Sequence, residues 1–444
     1  MNPLYNITDL TWDGRGVSRT VAGQVAFISG AIPGDKVTAV FGYSPMRGPK
    51  PGNVKEVVYP SPDRTEHPCP HYCDFCPASA LGAMQYEAAL RWKRKHIHET
   101  IRRIGHIADP RVMPVFPSPS IWDYRGRVEL HLVLINDNWR LAYHGPDSFV
   151  PIETCLLATK PVQEALKNLN ANLARAVISP DLIPEKDDEP APILRIMVRD
   201  NGFGKAIALL FIITGEERID WHRPLIDWLR KTDLAGWRIC RSASVETRLV
   251  RSETIAEEGD THIAFRMQDT FVSMDPTVFS QVNRPLTDGL IETVLEFVPR
   301  HGKLLDLYGG FGMFSLAHAM RGGRGTVVEL SGKACDAGKG FVHDHRLSVG
   351  YIEQDLAQRP FRYQEMSQFD ALIVDPPRSG LHQGILRQIN VVGPRRLIYV
   401  SCHPAALARD LARFTSYIRI SLNPIDLFPQ TPEVEVVAVM ERVR

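Results

Sequence analysis

From Leu286 onward, short apolar runs alternate with amphipathic stretches, and this alternation restricts the fold more than any other feature of the chain. A helix is expected over 287–298, a strand over 303–307, a helix over 313–320, a strand over 325–329 and a helix over 332–343. Strands over 349–354, 369–374 and 396–400 follow, with two further candidates at 418–427 and 434–441. Strands alternating with helices build βα units and a mostly parallel, doubly wound sheet. Ligands of such sheets bind beyond the carboxyl ends of the strands, so those ends are where chemistry is to be sought.

A chain of 444 residues is too long for one compact core, and two or three domains are expected. Over 1–62, the runs 23–28 and 35–40 are short and β-branched, with loops at GAIPG (30–34) and SPMRGPKPG (44–52). They predict a small β-barrel. Residues 63–275 mix a helix over 85–104 with strands over 127–135, 193–198 and 206–214 and an acidic, Pro-rich loop over 179–192, an α+β pattern. Residues 276–444 are the α/β unit. The 85–104 helix sets Arg91, Lys93, Arg94, Lys95, Arg102 and Arg103 on its polar face, open either to water or to phosphates.

The net charge of +1 means that a polyanionic partner would have to be met by local patches. The most apolar run, 207–214, is far short of the roughly 20 residues that span a bilayer. The first residues lack the basic and apolar regions of a secretory signal. A cytoplasmic protein with no membrane partner is expected. Three of the seven cysteines crowd between Cys69 and Cys76, which without a signal favours metal or cluster ligation over disulfides.

Three strings fall at predicted strand ends. In Asp306-Leu307-Tyr308-Gly309-Gly310-Phe311-Gly312, glycine permits close approach of a ligand to backbone. Glu329, at the tip of the next strand, is placed for ribose hydroxyls. Ser315 replaces the third glycine of a dinucleotide loop and no G-K-[ST] follows, so adenosylmethionine suits the turn better. Asp355 is either an adenine ligand or a surface acid. Asp375-Pro376-Pro377-Arg378 holds Asp375 at the sheet edge, since two prolines extend the backbone there. Tyr399-Val400-Ser401-Cys402-His403-Pro404 sets Cys402 before a helix start, where the dipole would stabilise a thiolate; the alternative is a structural cysteine. Glu433 and Glu435 enter the last strand on one face, as a candidate base or as exposed acids.

Taken in order, these strings resemble the RNA uracil-5-methyltransferase family over nearly the whole chain. GAIPGDKV and Ser61-Pro62-Asp63-Arg64 are similar to the TRAM domain of its 23S ribosomal-RNA branch. Cys69, Cys73 and Cys76, with Cys155, match that branch's four 4Fe-4S ligands, and Tyr86-Glu87 and Trp92-Lys93 continue the match. Phe279-Ser280-Gln281-Val282-Asn283 looks like the family's F-x-Q-V-N, and DLYGGFG, VVEL, DPPRSG and SCHP follow at suitable spacing.

The resemblance implies a TRAM/OB-like barrel, a central cysteine-cluster domain and a Rossmann-like S-adenosyl-L-methionine methyltransferase domain. It further implies Cys402 as nucleophile on uracil C6, Glu435 as the base that removes the C5 proton, and Gln281 and Asp375 orienting the base. Gln281, Tyr308, Gly310, Gly312, Glu329, Asp355 and Asp375 would hold the methyl donor. The implied partner is 23S ribosomal RNA, with transfer RNA or a non-catalytic RNA-binding role as alternatives, and the implied state a monomer. The pattern departs from the family at Gly309, Met313, Gln430 and Glu433, and in its C-x3-C spacing, which also admits zinc through Cys69, His71, Cys73 and Cys76.

Overall fold

The computed structural model describes residues 3–42, 48–72, 76–145, 148–176, 193–213, 222–245, 249, 252–359, 361 and 366–443. The expected loop over 179–192 and the ligand candidate Cys73 lie outside these residues.

Six strands come first: β1 (Tyr5–Asn6), β2 (Asp9–Leu10), β3 (Gly16–Arg19), β4 (Val25–Ser29), β5 (Lys36–Phe41) and β6 (Lys50–Tyr59). They pair in the order β1-β5-β6-β4-β3-β2 around a small core of Tyr5, Ile7, Ala26, Ile28 and Val37. Barrel closure is not among the pairings of the described residues. The loop expected over 44–52 is also corrected at its end. Lys50–Gly52 belong to β6, because pairing with β4 and β5 on either side overrides the local turn composition.

Helix α1 (Tyr86–Ile104) leads to a seven-stranded sheet. Its elements are β7 (Arg127–Ile135), β8 (Asn138–His144), β9 (Phe149–Pro151), α2 (Lys160–Leu173), β10 (Ile193–Asp200), β11 (Ala206–Ile213), α3 (Arg223–Leu229), β12 (Gly236–Ser242) and β13 (Glu253–Gly259). Every residue of β11 is buried, so both faces of this sheet need a cover. Leu166, Leu169 and Trp228 of α2 and α3 supply one. The other is a core that Met197, Leu209 and Phe211 share with the hairpin β14 (Ile263–Met267)/β15 (Thr270–Met274) and with later helices. The boundary expected near residue 275 thus falls inside a shared core.

The remaining elements are α4 (Thr287–Leu295), β16 (Lys303–Leu307), α5 (Met313–Met320), β17 (Arg324–Glu329), α6 (Gly332–His345), β18 (Val349–Glu353), β19 (Ala371–Val374), α7 (Gln383–Val392), β20 (Arg396–Ser401), α8 (Pro404–Leu411), β21 (Tyr417–Ile425) and β22 (Glu435–Arg442). They form a sheet of order β18-β17-β16-β19-β20-β22-β21, parallel from β18 to β20 and antiparallel at β22 and β21. Phe314, Leu316 and Phe341 of α5 and α6 cover one face. Ile385, Ile389, Leu407 and Leu411 of α7 and α8 cover the other, joined by Ile97 and Ile101 of α1. The long amphipathic helix from the cysteine-bearing region is therefore a structural layer of the C-terminal sheet. No helix among the described residues is long and apolar enough to cross a membrane.

Candidate active site

The strands β16, β17, β19 and β20 all point their carboxyl ends to one edge of the sheet, and the antiparallel β22 starts at that edge. At the end of β16 the chain turns through Tyr308 (φ +61°), Gly310 (φ +58°) and Gly312 (φ +90°), backbone that side chains rarely adopt. Glu329 stabilises this turn. Its Oε2 accepts the Gly310 N–H at 3.0 Å and its Oε1 the Ser331 N–H at 2.8 Å. A Cβ on Gly309 would lie 2.8 Å from Val327 Cγ1, and one on Gly312 2.5 Å from Tyr351 Oη. A Cβ on Gly310 would meet nothing within 4 Å, so this backbone faces an open cleft.

That cleft is lined by Phe279, Gln281, Tyr308, Phe311 and Asp375, among others. Below it, fully buried Asp306 accepts from Ser315 Oγ at 3.0 Å through Oδ2, while its Oδ1 has no partner. Burial pushes its carboxyl up to about 7, and Glu329 adds to the effect. Asp355 lies just past β18, where its Oδ1 accepts the Ala357 N–H at 2.8 Å and its charge faces Tyr308. Gln281, itself buried, follows a segment fixed by buried Arg199, which donates to the carbonyls of Pro276 and Val278 and to Ser280 Oγ. No periodicity or motif singles out Arg199.

Cys402 follows β20, with His403 as N-cap of α8 and Pro404 at its first position, as the sequence predicts. The antiparallel register pairs Ser401 with Val436, which sets Cys402 opposite Glu435 one step further. Glu435 is 3% exposed and its Oε1 has no hydrogen-bond partner. Burial and the neighbouring Asp375 carboxylate hold it well above the ordinary glutamate range. Half-buried Asp375 is itself raised by burial and by Asp306 and Glu329.

The expected thiolate stabilisation at Cys402 is corrected. Burial and Glu435 push the thiol up to about 11, the reverse of the lowering expected there. Arg378 opposes this shift: its side chain hydrogen-bonds the thiol, and its charge lowers both Cys402 and Glu435. It also lies 4.0 Å from Glu433. Asp410 of α8 anchors the Asp375–Gly380 loop, its Oδ2 accepting the Leu381 N–H and the Tyr399 hydroxyl, each at 2.8 Å. Arg378 stood inside a quoted string and Asp410 in none, so sequence reasoning assigned a role to neither.

Elsewhere, Cys69, Cys76 and Cys155 are half-buried, and the thiols of Cys155 and Cys69 help burial push the Cys76 thiol up to about 11. Among the described residues there is nevertheless no group of three His, Cys, Asp or Glu side chains arranged to hold a metal ion. Of the basic residues expected on the α1 face, Lys93 is buried instead. Arg91, Lys95, Arg102 and Arg103 are exposed but paired with acids.

Residues 239–443 match the family described as tRNA (Uracil-5-)-methyltransferase. An uncharacterized RNA methyltransferase of Halalkalibacterium halodurans is 28% identical over 449 residues, 98% of this chain and 96% of its own. One from Thermotoga maritima is 28% identical over 429 residues, 95% of each chain. The crystal structure of Pyrococcus abyssi tRNA (uracil-54, C5)-methyltransferase with S-adenosyl-L-homocysteine shares the fold, with a TM-score of 0.72 at 23% identity over 99% of this chain and 100% of that one. The relatives that match nearly the whole chain are RNA methyltransferases. Residues 239–443 are in turn similar to the RNA uracil-5-methyltransferase family.

Proposed function

We propose that this protein methylates C5 of a uridine in 23S ribosomal RNA, with Cys402 as nucleophile and Glu435 as base. The reading rests above all on the β20/β22 register, which sets a cysteine beside a buried carboxylate with a spare oxygen. Free uracil is a poor nucleophile at C5. Addition of the Cys402 thiolate to C6 moves the C5–C6 π electrons towards C5 and O4, so that C5 can form the new bond to methyl. Glu435 then takes the C5 proton, the C6–S bond breaks, and the thiolate is regenerated. Arg378 is the cation that would hold the thiolate before addition and keep Glu435 ionised afterwards.

S-adenosylmethionine would supply the methyl group. The open face over Gly310 and the unpartnered Asp306 Oδ1 suit a ligand of that kind. Gln281, Tyr308, Gly310, Gly312, Glu329, Asp355 and Asp375 would bind it, with Gln281 and Asp375 also orienting the uracil. A flipped-out nucleotide would present the target atom. The N-terminal sheet is read as a TRAM-type RNA-binding unit, and the protein as a cytoplasmic monomer. Cys69, Cys73, Cys76 and Cys155 are read as ligands of a 4Fe-4S cluster, since thiolates are the donors such clusters take.

Transfer RNA is the second reading, favoured by the target of the Pyrococcus abyssi enzyme. Incubation with labelled S-adenosylmethionine and separated unmodified RNAs decides between them: 5-methyluridine is expected in 23S ribosomal RNA. Label in transfer RNA alone overturns the substrate, and label in neither overturns the activity. An anaerobic preparation is expected to be brown, with iron and sulfide; a colourless, zinc-loaded protein overturns the cluster.

A further inference from the structure

The turn that delivers Glu435 is held by the other end of the chain. Lys93 of α1 is 1% exposed, and its ammonium donates to Asp426 Oδ1 at 2.5 Å, to the Phe428 carbonyl at 3.0 Å and to the Glu433 carbonyl at 2.8 Å. All three ammonium protons are thereby used. The Tyr124 hydroxyl donates to the Pro429 carbonyl at 2.9 Å and the Leu81 N–H to that of Gln430, also at 2.9 Å. Gln430 sits at φ +71°, a conformation that a free turn would leave.

The network does not stop at this turn. The Asp426 charge acts on the neighbouring Tyr86 hydroxyl, whose oxygen accepts the Ser118 N–H at 2.7 Å. Ser118 Oγ accepts from Asn283 Nδ2 at 3.0 Å, two residues beyond Gln281. Asp426 thus lies next to a hydrogen-bonded link, through Tyr86 and Ser118, to the string that carries Gln281. Cys402 is held separately, by β20, the Ser401 hydroxyl and α8.

We propose that Lys93 is a positioning residue: it locks the 426–433 turn so that Glu435 meets the C5 proton, and through Tyr86 and Ser118 it sets that base relative to Gln281. The inference rests on the methylation reading above. Since Cys402 is held without Lys93, loosening the turn should spare addition and slow proton removal. Covalent protein–RNA adduct should then accumulate, whereas a general loss of structure would lower both.

The test uses full-length protein, S-adenosylmethionine and the RNA that the wild type methylates, with turnover and adduct on denaturing gels read together. K93M is expected to lose turnover by about tenfold or more at a KM changed by less than about threefold, with adduct rising above wild type. Wild-type turnover, or lost turnover without adduct in a protein of unchanged melting temperature, overturns the proposal. Should K93M melt at a lower temperature, Tyr124→Phe decides, because it removes one hydroxyl bond to the turn and no buried charge. It is expected to slow turnover by about threefold and to raise the adduct, and wild-type behaviour overturns the proposal. A wild-type protein that forms no adduct even with 5-fluorouridine RNA signals failure of the methylation reading instead.

Discussion

Cys402 and Glu435 are cross-strand neighbours, because the β20/β22 ladder pairs Ser401 with Val436 and ends one step before them. A nucleophile and a base on adjacent strands can work on adjacent carbons of one ring, and the two steps should separate by mutation. Cys402→Ala is expected to abolish both product and adduct. Glu435→Gln is expected to retain adduct formation while turnover falls by about a hundredfold or more, in line with loss of a general base. Denaturing gels of labelled RNA check both, and a turning-over Cys402→Ala would sink the assignment.

The electrostatics of this pair set a pH dependence. The Cys402 thiol stands at about 11, so below that value each pH unit raises the thiolate fraction about tenfold. The kcat/KM for RNA should therefore climb from pH 6.5 to pH 9. Arg378→Met removes the charge that lowers both groups and should cut the rate at pH 7.5 by about tenfold, with part of the loss recovered at pH 9. An Arg378→Met profile parallel to wild type at every pH would show that the guanidinium does not act on the thiol.

Asp306 carries a separate prediction about stability. Its folded-state pKa of about 7 lies above the ordinary 3.8. Stability tied to its proton is fully present below about pH 4 and is lost as pH rises through 7. Asp306→Asn keeps a neutral group there at every pH. Its stability relative to wild type should thus rise between pH 4.5 and pH 8 by at least about 1 kcal/mol, about one degree of melting temperature for a chain this size. A difference that stays constant with pH would mean that Asp306 titrates normally.

The parts of this site that could be read from sequence are those fixed by local chemistry. The glycines of DLYGGFG read as admitting a ligand to the backbone, and a Cβ on Gly310 would indeed meet only open space. Pro404 after Cys402 marks a helix start, and α8 begins there. What escaped depends on pairing across the chain. Lys93 looks like one more charge on a basic helix face, and nothing near it in sequence reveals Asp426, 333 residues away. Residues 50–52 read as a turn until β4 and β5 flank them. The shared core that crosses residue 275 follows from both faces of β11 being apolar, but its second cover is named only by the tertiary fold.

The Gly-rich turn yields the last prediction. Gly312 combines φ +90° with a Cβ position 2.5 Å from Tyr351 Oη, and that hydroxyl already donates to the Phe311 carbonyl at 2.8 Å. Gly312→Ala therefore suffers twice, from left-handed backbone at roughly 1–2 kcal/mol and from a clash that displaces Tyr351 and the Phe311 carbonyl with it. Because Phe311 lines the cleft, S-adenosylmethionine binding should weaken along with stability. Removing the clashing oxygen separates the two causes: in Gly312→Ala/Tyr351→Phe the steric part is relieved and the backbone part remains. Calorimetry of S-adenosylmethionine binding to both variants should show partial recovery in the double variant. An equal loss in both would assign the whole effect to backbone strain and leave Tyr351 without a role in shaping the turn.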